Sequence, residues 1–191
     1  MKKLKGSQTE KNLLRLFVFE SQDRNRYSYF SSQAKKEGFV QISFIFEETA
    51  NQKKEQAKRL FKFFEGGEIE LTTSFSAVGS GSTLENLKAA KINENTKCMQ
   101  IYPESVHQAM QEGFSDIALV LQAIAVADKF HEKRYLALAT NIEAGRVYKR
   151  EESVAWRCRN CGYVCESKEA PGSCIACAHP QAHFELLSEN Y

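Results

Sequence analysis

The chain has no surplus of one charge: 26 Lys and Arg are interspersed with 24 Asp and Glu, for a net of +2. So even a balance gives neither a nucleic-acid groove nor a polybasic membrane patch. No apolar run approaches the roughly 20 residues that a membrane span needs. The start, Met1 to Lys11, is basic and polar, and Arg15 and Glu20 interrupt the apolar residues after it. A secretory leader is therefore not expected, and a cytoplasmic protein is. Internal repeats and low-complexity tracts are lacking too. Proline is scarce, with three residues. Of these, Pro103 falls within helical patterning, where it would break a helix or open the first turn of a new one.

What is present is helical periodicity. Ile117, Leu121, Ile124, Asp128, His131 and Tyr135 recur at three- and four-residue steps and share one helix face. A carboxylate and an imidazole one turn apart on a buried face are costly unless paired or metal-bound. Dimetal four-helix bundles present ligands to their core in this (i, i+3) form. Ser115 is the expected N-cap of this helix, which runs to Ile142 and closes at Gly145.

Three further long helices are expected before it. Ser7-Gln8-Thr9-Glu10 has the form of a capping box. The helix it opens, roughly 28 residues ending at Gly38, carries Leu13, Phe17, Glu20, Arg24 and Tyr27 on one stripe. A second helix runs from about Phe39 to Glu65 and stops at Gly66-Gly67. Its inward stripe reads Ile42, Ile45, Phe46, Thr49, Lys53, Gln56, Leu60, Phe61 and Phe64. The polar Lys53 and Gln56 thus fall at mid-helix on the buried side. A helix rotated to turn them outward would conflict with the apolar residues on either side of them. Residues 68–81 form a Ser/Gly-rich connection suited to crossing the bundle end. Ser82-Thr83-Leu84-Glu85 is a second capping box, and the third helix shows Leu84, Leu87, Lys91, Glu94 and Cys98 or Lys97 along its face. The two helix pairs suggest a pseudo-symmetry.

After Gly145 the helical period ends. A bundle over 1–146 and a separate small module over 147–191 are expected. Cys158-Arg-Asn-Cys161-Gly-Tyr and Cys174-Ile-Ala-Cys177 are two knuckles on a segment too small to fold on an apolar core alone. Without an export signal they read as metal ligation rather than a disulfide framework. Four thiolates complete a tetrahedral site, and metal binding supplies folding free energy. Such a site suits Zn or a single Fe. Cys98 and Cys165 lie outside the pairs and read as free thiols without a role.

Over essentially its whole length the chain resembles the rubrerythrins. The resemblance is carried by Lys5-Gly6-Ser7-Gln8-Thr9-Glu10-Lys11-Asn12, Glu20-Ser21-Gln22, Arg24-Asn25-Arg26-Tyr27 and Ala57-Lys58-Arg59-Leu60-Phe61. It continues through Phe130-His131-Glu132-Lys133-Arg134, Trp156-Arg157-Cys158-Arg159-Asn160-Cys161-Gly162-Tyr163 and Ala178-His179-Pro180. It implies a ferritin-like bundle fused to a rubredoxin-like Fe(Cys)4 module, held by Cys158, Cys161, Cys174 and Cys177. It also implies peroxide reduction at a diiron site, in head-to-tail homodimers. Ile175 stands where the second knuckle usually has proline, a change expected to affect loop rigidity more than ligation.

Carried over position by position, the family's diiron ligands match at Glu20, Glu94 and His131. Asp128 replaces a Glu. Lys53 stands for a Glu, Gln56 for a His and Lys97 for a Glu, so a normal two-iron centre is not expected. Lysine must lose a proton and its charge before it can ligate a dication. The two lysines instead put ammonium groups where cations would sit. The leading expectation is a redox protein that passes electrons through its Fe(Cys)4 centre, as a homodimer or in a heterodimer with an intact paralogue. A second is a peroxidase with one metal at Glu94, Asp128 and His131, a ligand set resembling mononuclear iron sites. A third is a non-catalytic zinc-binding dimerisation protein. No catalytic residue and no electron donor can be named from the sequence.

Overall fold

The computed structural model describes residues 3–77 and 79–189. Helix α1 spans Gln8–Lys36, α2 Val40–Phe61, α3 Thr83–Thr96, α4 Tyr102–Gln111 and α5 Ser115–Glu143. A π-helical turn, Lys97–Ile101, joins α3 to α4, so the two make one long rod and complete a ferritin-like four-helix bundle. Strands β1 (Lys149–Cys158), β2 (Val164–Glu169) and β3 (Phe184–Leu186) form an antiparallel sheet in the order β2-β1-β3. No helix among the described residues is long and apolar enough to cross a membrane.

The two helical hairpins close in the same way. After α1, Gly38 takes φ 83°, while Phe39 N–H bonds to Ala34 C=O at 2.8 Å and Gly38 N–H to Lys35 C=O at 3.2 Å. After α4, Gly113 takes φ 78°, and Phe114 N–H and Gly113 N–H reach Ala109 and Met110 C=O at 2.8 and 3.0 Å. Both are Schellman closures, in which the left-handed residue must be one without Cβ strain. The phenylalanine that follows each serves as N-cap of the next helix. Ser115 is accordingly the first helical residue of α5 and not its cap.

The Ser82–Glu85 capping box forms completely, whereas the Ser7–Glu10 box forms by half. Ser7 Oγ accepts the Glu10 N–H at 3.0 Å, but Glu10 Oε2 takes the Gly6 N–H at 2.7 Å. The Ser7 N–H is already committed to Leu4 C=O. Helix α2 ends at Phe61 rather than Glu65, because Phe63 and Phe64 N–H turn back to Leu60 and Phe61 C=O in tighter i→i+3 bonds. Pro103 breaks nothing. It sits in the first turn of α4, just past the π turn, where its missing N–H is tolerated.

Burial corrects the inward stripes by single residues. On α1 the buried face is Leu13, Leu16, Glu20, Asp23, Tyr27, Phe30 and Ala34, with Phe17 half-buried and Arg24 exposed. On α2, Lys53 is fully buried, Gln56 half-buried and Phe61 exposed. On the third rod Lys97, not Cys98, completes the buried row that includes Glu94. One apolar cluster unites Leu13, Leu16, Leu60, Ile101, Ile117 and Leu121. Another unites Tyr27, Phe30, Ile42, Phe46, Leu87 and Tyr135. Between them, drawn from each of the four rods, lies a layer of charge. The described part of the 68–81 connection runs along α1, with Ser76 C=O accepting from Arg26 Nη2 at 2.7 Å and Phe75 against Phe19.

The sheet packs its own small core around Trp156, Ala170 and Phe184. Trp156 is anchored by an Nε1–H bond to Ser167 C=O at 3.0 Å. The sheet reaches the bundle through Tyr148 Oη, which donates to Gly38 C=O at 2.6 Å, and through Arg159, whose guanidinium stacks 4.4 Å from the Phe44 ring of α2.

Candidate metal centre and buried charge layer

Strand β1 delivers Cys158 at its last residue, and the chain then doubles back in a knuckle. Gly162 N–H bonds to Cys158 C=O at 2.9 Å, and Cys158 N–H to Tyr163 C=O at 2.8 Å. The second knuckle repeats this, with Ala178 N–H on Cys174 C=O and Cys174 N–H on His179 C=O, both at 2.8 Å. Gly162 and Ala178 hold equivalent left-handed positions, φ 79° and 58°. The sulfurs approach in pairs, Cys158 to Cys177 at 3.8 Å and Cys161 to Cys174 at 3.6 Å. All four lie within 4.8 Å of one another. A tetrahedron with metal–sulfur bonds of about 2.3 Å has edges of roughly 3.8 Å, so the cage has the dimensions of a tetrathiolate metal site.

Its proton affinities are divided. The Tyr163 backbone N–H favours thiolate at Cys161, but the neighbouring sulfurs outweigh it and push that thiol up to about 12. The His179 backbone N–H helps bring Cys177 down to about 6. Four sulfurs this close resist collective deprotonation, and a cation at their centre relieves that. Ile175 lies outside the cage, largely in solvent, and the knuckle closes without proline there.

The bundle's charge layer draws on all four rods. Lys53 Nζ lies 3.0 Å from Glu20 Oε2 and 2.9 Å from Glu94 Oε2, and also contacts Asp128 Oδ1. Lys97 Nζ lies 2.6 Å from Asp23 Oδ2, 3.1 Å from Glu20 Oε1, 3.2 Å from Asp128 Oδ2 and 3.5 Å from Glu94 Oε2. All six side chains are at most 1 % exposed. Tyr27 Oη donates to Glu94 and Tyr102 Oη to Glu20, and Asn93 donates to Asp23 at 2.8 Å. Gln56 Nε2 donates to Asp128 Oδ1 at 3.2 Å. His131 closes the layer toward solvent, with Nδ1 3.5 Å from Asp128 Oδ1 and Nε2 2.9 Å from Gln52 Oε1.

The structure thus brings together Glu20, Lys53, Gln56, Glu94, Lys97, Asp128 and His131, as the helix faces predict. It adds Asp23, Tyr102 and Asn93. Asp23 was legible as an inward residue three steps after Glu20, but Arg24, four steps on, competes for the same stripe.

Four carboxylates against two ammonium groups set the protonation states. Burial, then repulsion from Asp128, raises Glu20 despite both lysines. Burial opposes ionisation of Asp128 as well, but Lys53 and Lys97 hold that carboxyl well below its ordinary value. Glu94 is lowered in the same way. Burial would lower both lysines, and the surrounding carboxylates override it and raise them. His131 is raised by its contacts with Asp128 and Glu94 against the effect of burial. Glu94, Asp128 and His131 each offer a donor atom within 4.8 Å of the others, and Lys53 Nζ already touches the two carboxylates.

Comparison with known proteins decides the family. The Rubrerythrin family model matches residues 11–139, and the model described as "Rubrerythrin, rubredoxin-like domain" matches 156–185. The chain belongs to the rubrerythrin family. It is 56 % identical to a rubrerythrin of Nitratidesulfovibrio vulgaris over 191 residues, covering 100 % of both chains. It is 54 % identical to one of Porphyromonas gingivalis, covering 100 % of this chain and 95 % of that one. Among solved structures, nigerythrin in a mixed-valence state superposes with TM-score 0.63 at 25 % identity, over 97 % of this chain and 89 % of that one. The rubrerythrin fold thus accounts for both parts of the molecule and for a non-haem metal at the four cysteines, with Fe and Zn both compatible with the cage.

Proposed function

We propose that this rubrerythrin works as an electron-transfer protein through one Fe(Cys)4 centre, and that its bundle is held together without metal by Lys53 and Lys97. One observation supports the reading above others: each ammonium nitrogen is fully buried and lies between carboxylates from different helices. Two dications placed among Glu20, Glu94 and Asp128 would have to displace both lysines or strip their protons. The donor set does not suit that. In the cage, iron would supply a one-electron couple. Cys158, Cys161, Cys174 and Cys177 would bind it, and the amide-bearing knuckles would favour the thiolate form.

On this reading residues 1–146 and 147–191 are two functional units in a cytoplasmic homodimer, head-to-tail as in the family. A heterodimer with a rubrerythrin that keeps all its ligands would let this chain feed electrons to a competent partner site.

Metal analysis of anaerobically purified protein tests the proposal. One iron per chain, with a red colour bleached by dithionite, is expected. Lys53→Glu with Gln56→His and Lys97→Glu should raise the iron content by two per chain. Two tightly held bundle irons in the unsubstituted protein would refute the reading, and zinc alone in the cage would remove the redox role.

A further inference from the structure

Lys53 and Asp128 bring an amine and a carboxyl from two different helices, α2 and α5, into direct contact where neither reaches water. The groups around them are those an amide-forming site requires. Glu94 Oε2 lies 2.9 Å from Nζ, placed to take the proton that the nitrogen sheds once it has bonded to carbon. The Lys97 ammonium lies 3.2 Å from Asp128 Oδ2, placed to hold the negative charge that develops there when an amine adds to Cγ. The other oxygen, Oδ1, faces Gln56 Nε2 at 3.2 Å and His131 Nδ1 at 3.5 Å. His131 in turn lies on the wall of a groove between α2 and α5, shared with Gln52, Gln56, Phe130 and Arg134.

We propose that Lys53 and Asp128 condense into an isopeptide bond that ties α2 covalently to α5. The ionised pair is the starting state. Nζ first passes a proton to Oδ1, which it contacts, giving an amine beside a carboxylic acid; the lone pair then adds to Cγ, and Lys97 steadies Oδ2, which remains as the amide carbonyl. Nζ sheds two protons on becoming an amide N–H, and these convert Oδ1 to water. The first passes directly from Nζ to Oδ1, and Glu94 carries the second from Nζ to Oδ1 after the addition, so Glu94 ends as it began. One N–C bond forms, one C–O bond breaks and one water leaves by the groove, with no oxidant, reductant or activated donor consumed.

The setting favours the forward direction. Condensation removes one buried charge of each sign, so the net charge of the layer is unaltered while the desolvation cost of the pair disappears. Reactants fixed in contact behave as if at effective concentrations of roughly 10⁵–10⁸ M. The apolar clusters on both sides exclude the water that hydrolysis would need.

This inference rests on the metal-free reading of the bundle, because an ion bound by Glu94 and Asp128 would hold both away from Nζ. Intact-mass spectrometry of the full-length protein, with metal content read on the same sample, tests it. The expected product is lighter than the sequence mass by one water, and proteolysis gives a branched peptide joining the Lys53 and Asp128 segments. Lys53→Arg and Asp128→Ala should both return the full sequence mass. Glu94→Gln should slow the loss of water by about 10²-fold in newly refolded protein. Unsubstituted protein that keeps its full mass after prolonged incubation would overturn the cross-link, as would a water loss that persists in Lys53→Arg. Full mass in a metal-free bundle rejects the cross-link alone, whereas full mass in a metal-loaded bundle rejects the reading beneath it as well.

Discussion

At the scale of single residues, the buried layer is two positive charges short of its carboxylates before His131, and Arg26 at its edge 3.8 Å from Asp23, are counted. That imbalance explains why burial leaves Glu20 with a raised proton affinity even beside two lysines. It also makes His131 the side chain through which mild pH changes reach the core. Its folded-state affinity is raised by Asp128 and Glu94, so protonated His131 stabilises the fold fully below the ordinary imidazole range. That contribution disappears as pH rises through the raised folded value. Glu94 and, in the uncondensed layer, Asp128, both lowered, contribute in the opposite sense, above their ordinary range and not in strong acid. His131→Gln should therefore lower stability by roughly 1.5–3 kcal/mol in mildly acidic solution. The deficit should shrink as the medium becomes alkaline, read as the urea midpoint of both proteins across pH. A deficit independent of pH would mean that His131 acts by packing alone.

The elements differ in how much of them could be read from the chain. Apolar spacing located the four rods, and the C-x-x-C pairs located the knuckles, because both signals repeat. What spacing could not resolve was the choice between three- and four-residue steps. On a helix of 29 residues that choice decides whether Asp23 or Arg24 turns inward. The π turn was also invisible to a 3.6-residue template, although it lets Pro103 follow Glu94 and Lys97 on one rod without a break. In the second knuckle the sequence places alanine where the backbone takes φ 58°. An L-residue with a Cβ is strained there by about 1–2 kcal/mol, partly offset by the greater unfolded-state freedom of glycine. Ala178→Gly should thus stabilise the metal-loaded sheet by up to about 1 kcal/mol, measured as slower release of metal to a chelator in mild denaturant. Faster release would show that the strain is carried elsewhere.

For the whole molecule, two kinds of interior coexist in one chain. The sheet has a small apolar core and four sulfurs that need a cation, so its folding is linked to metal. The bundle has two large apolar clusters braced by charge. Stripping metal should unfold the sheet and leave the helices in place. Trp156, the single tryptophan of the chain, reports the first event because it is fully buried in the sheet core. Its emission is expected to shift on chelation while the helical circular dichroism stays constant. Simultaneous loss of both signals would show that the Tyr148 and Arg159 contacts with the bundle make the halves one cooperative unit.

The ionic stratum at mid-bundle also carries a thermal signature. Water's hold on charged groups weakens as temperature climbs, so sequestering them costs less when hot. A rod assembly centred on lysine and carboxylate is thereby biased toward keeping its midsection at warmth that loosens the greasy ends.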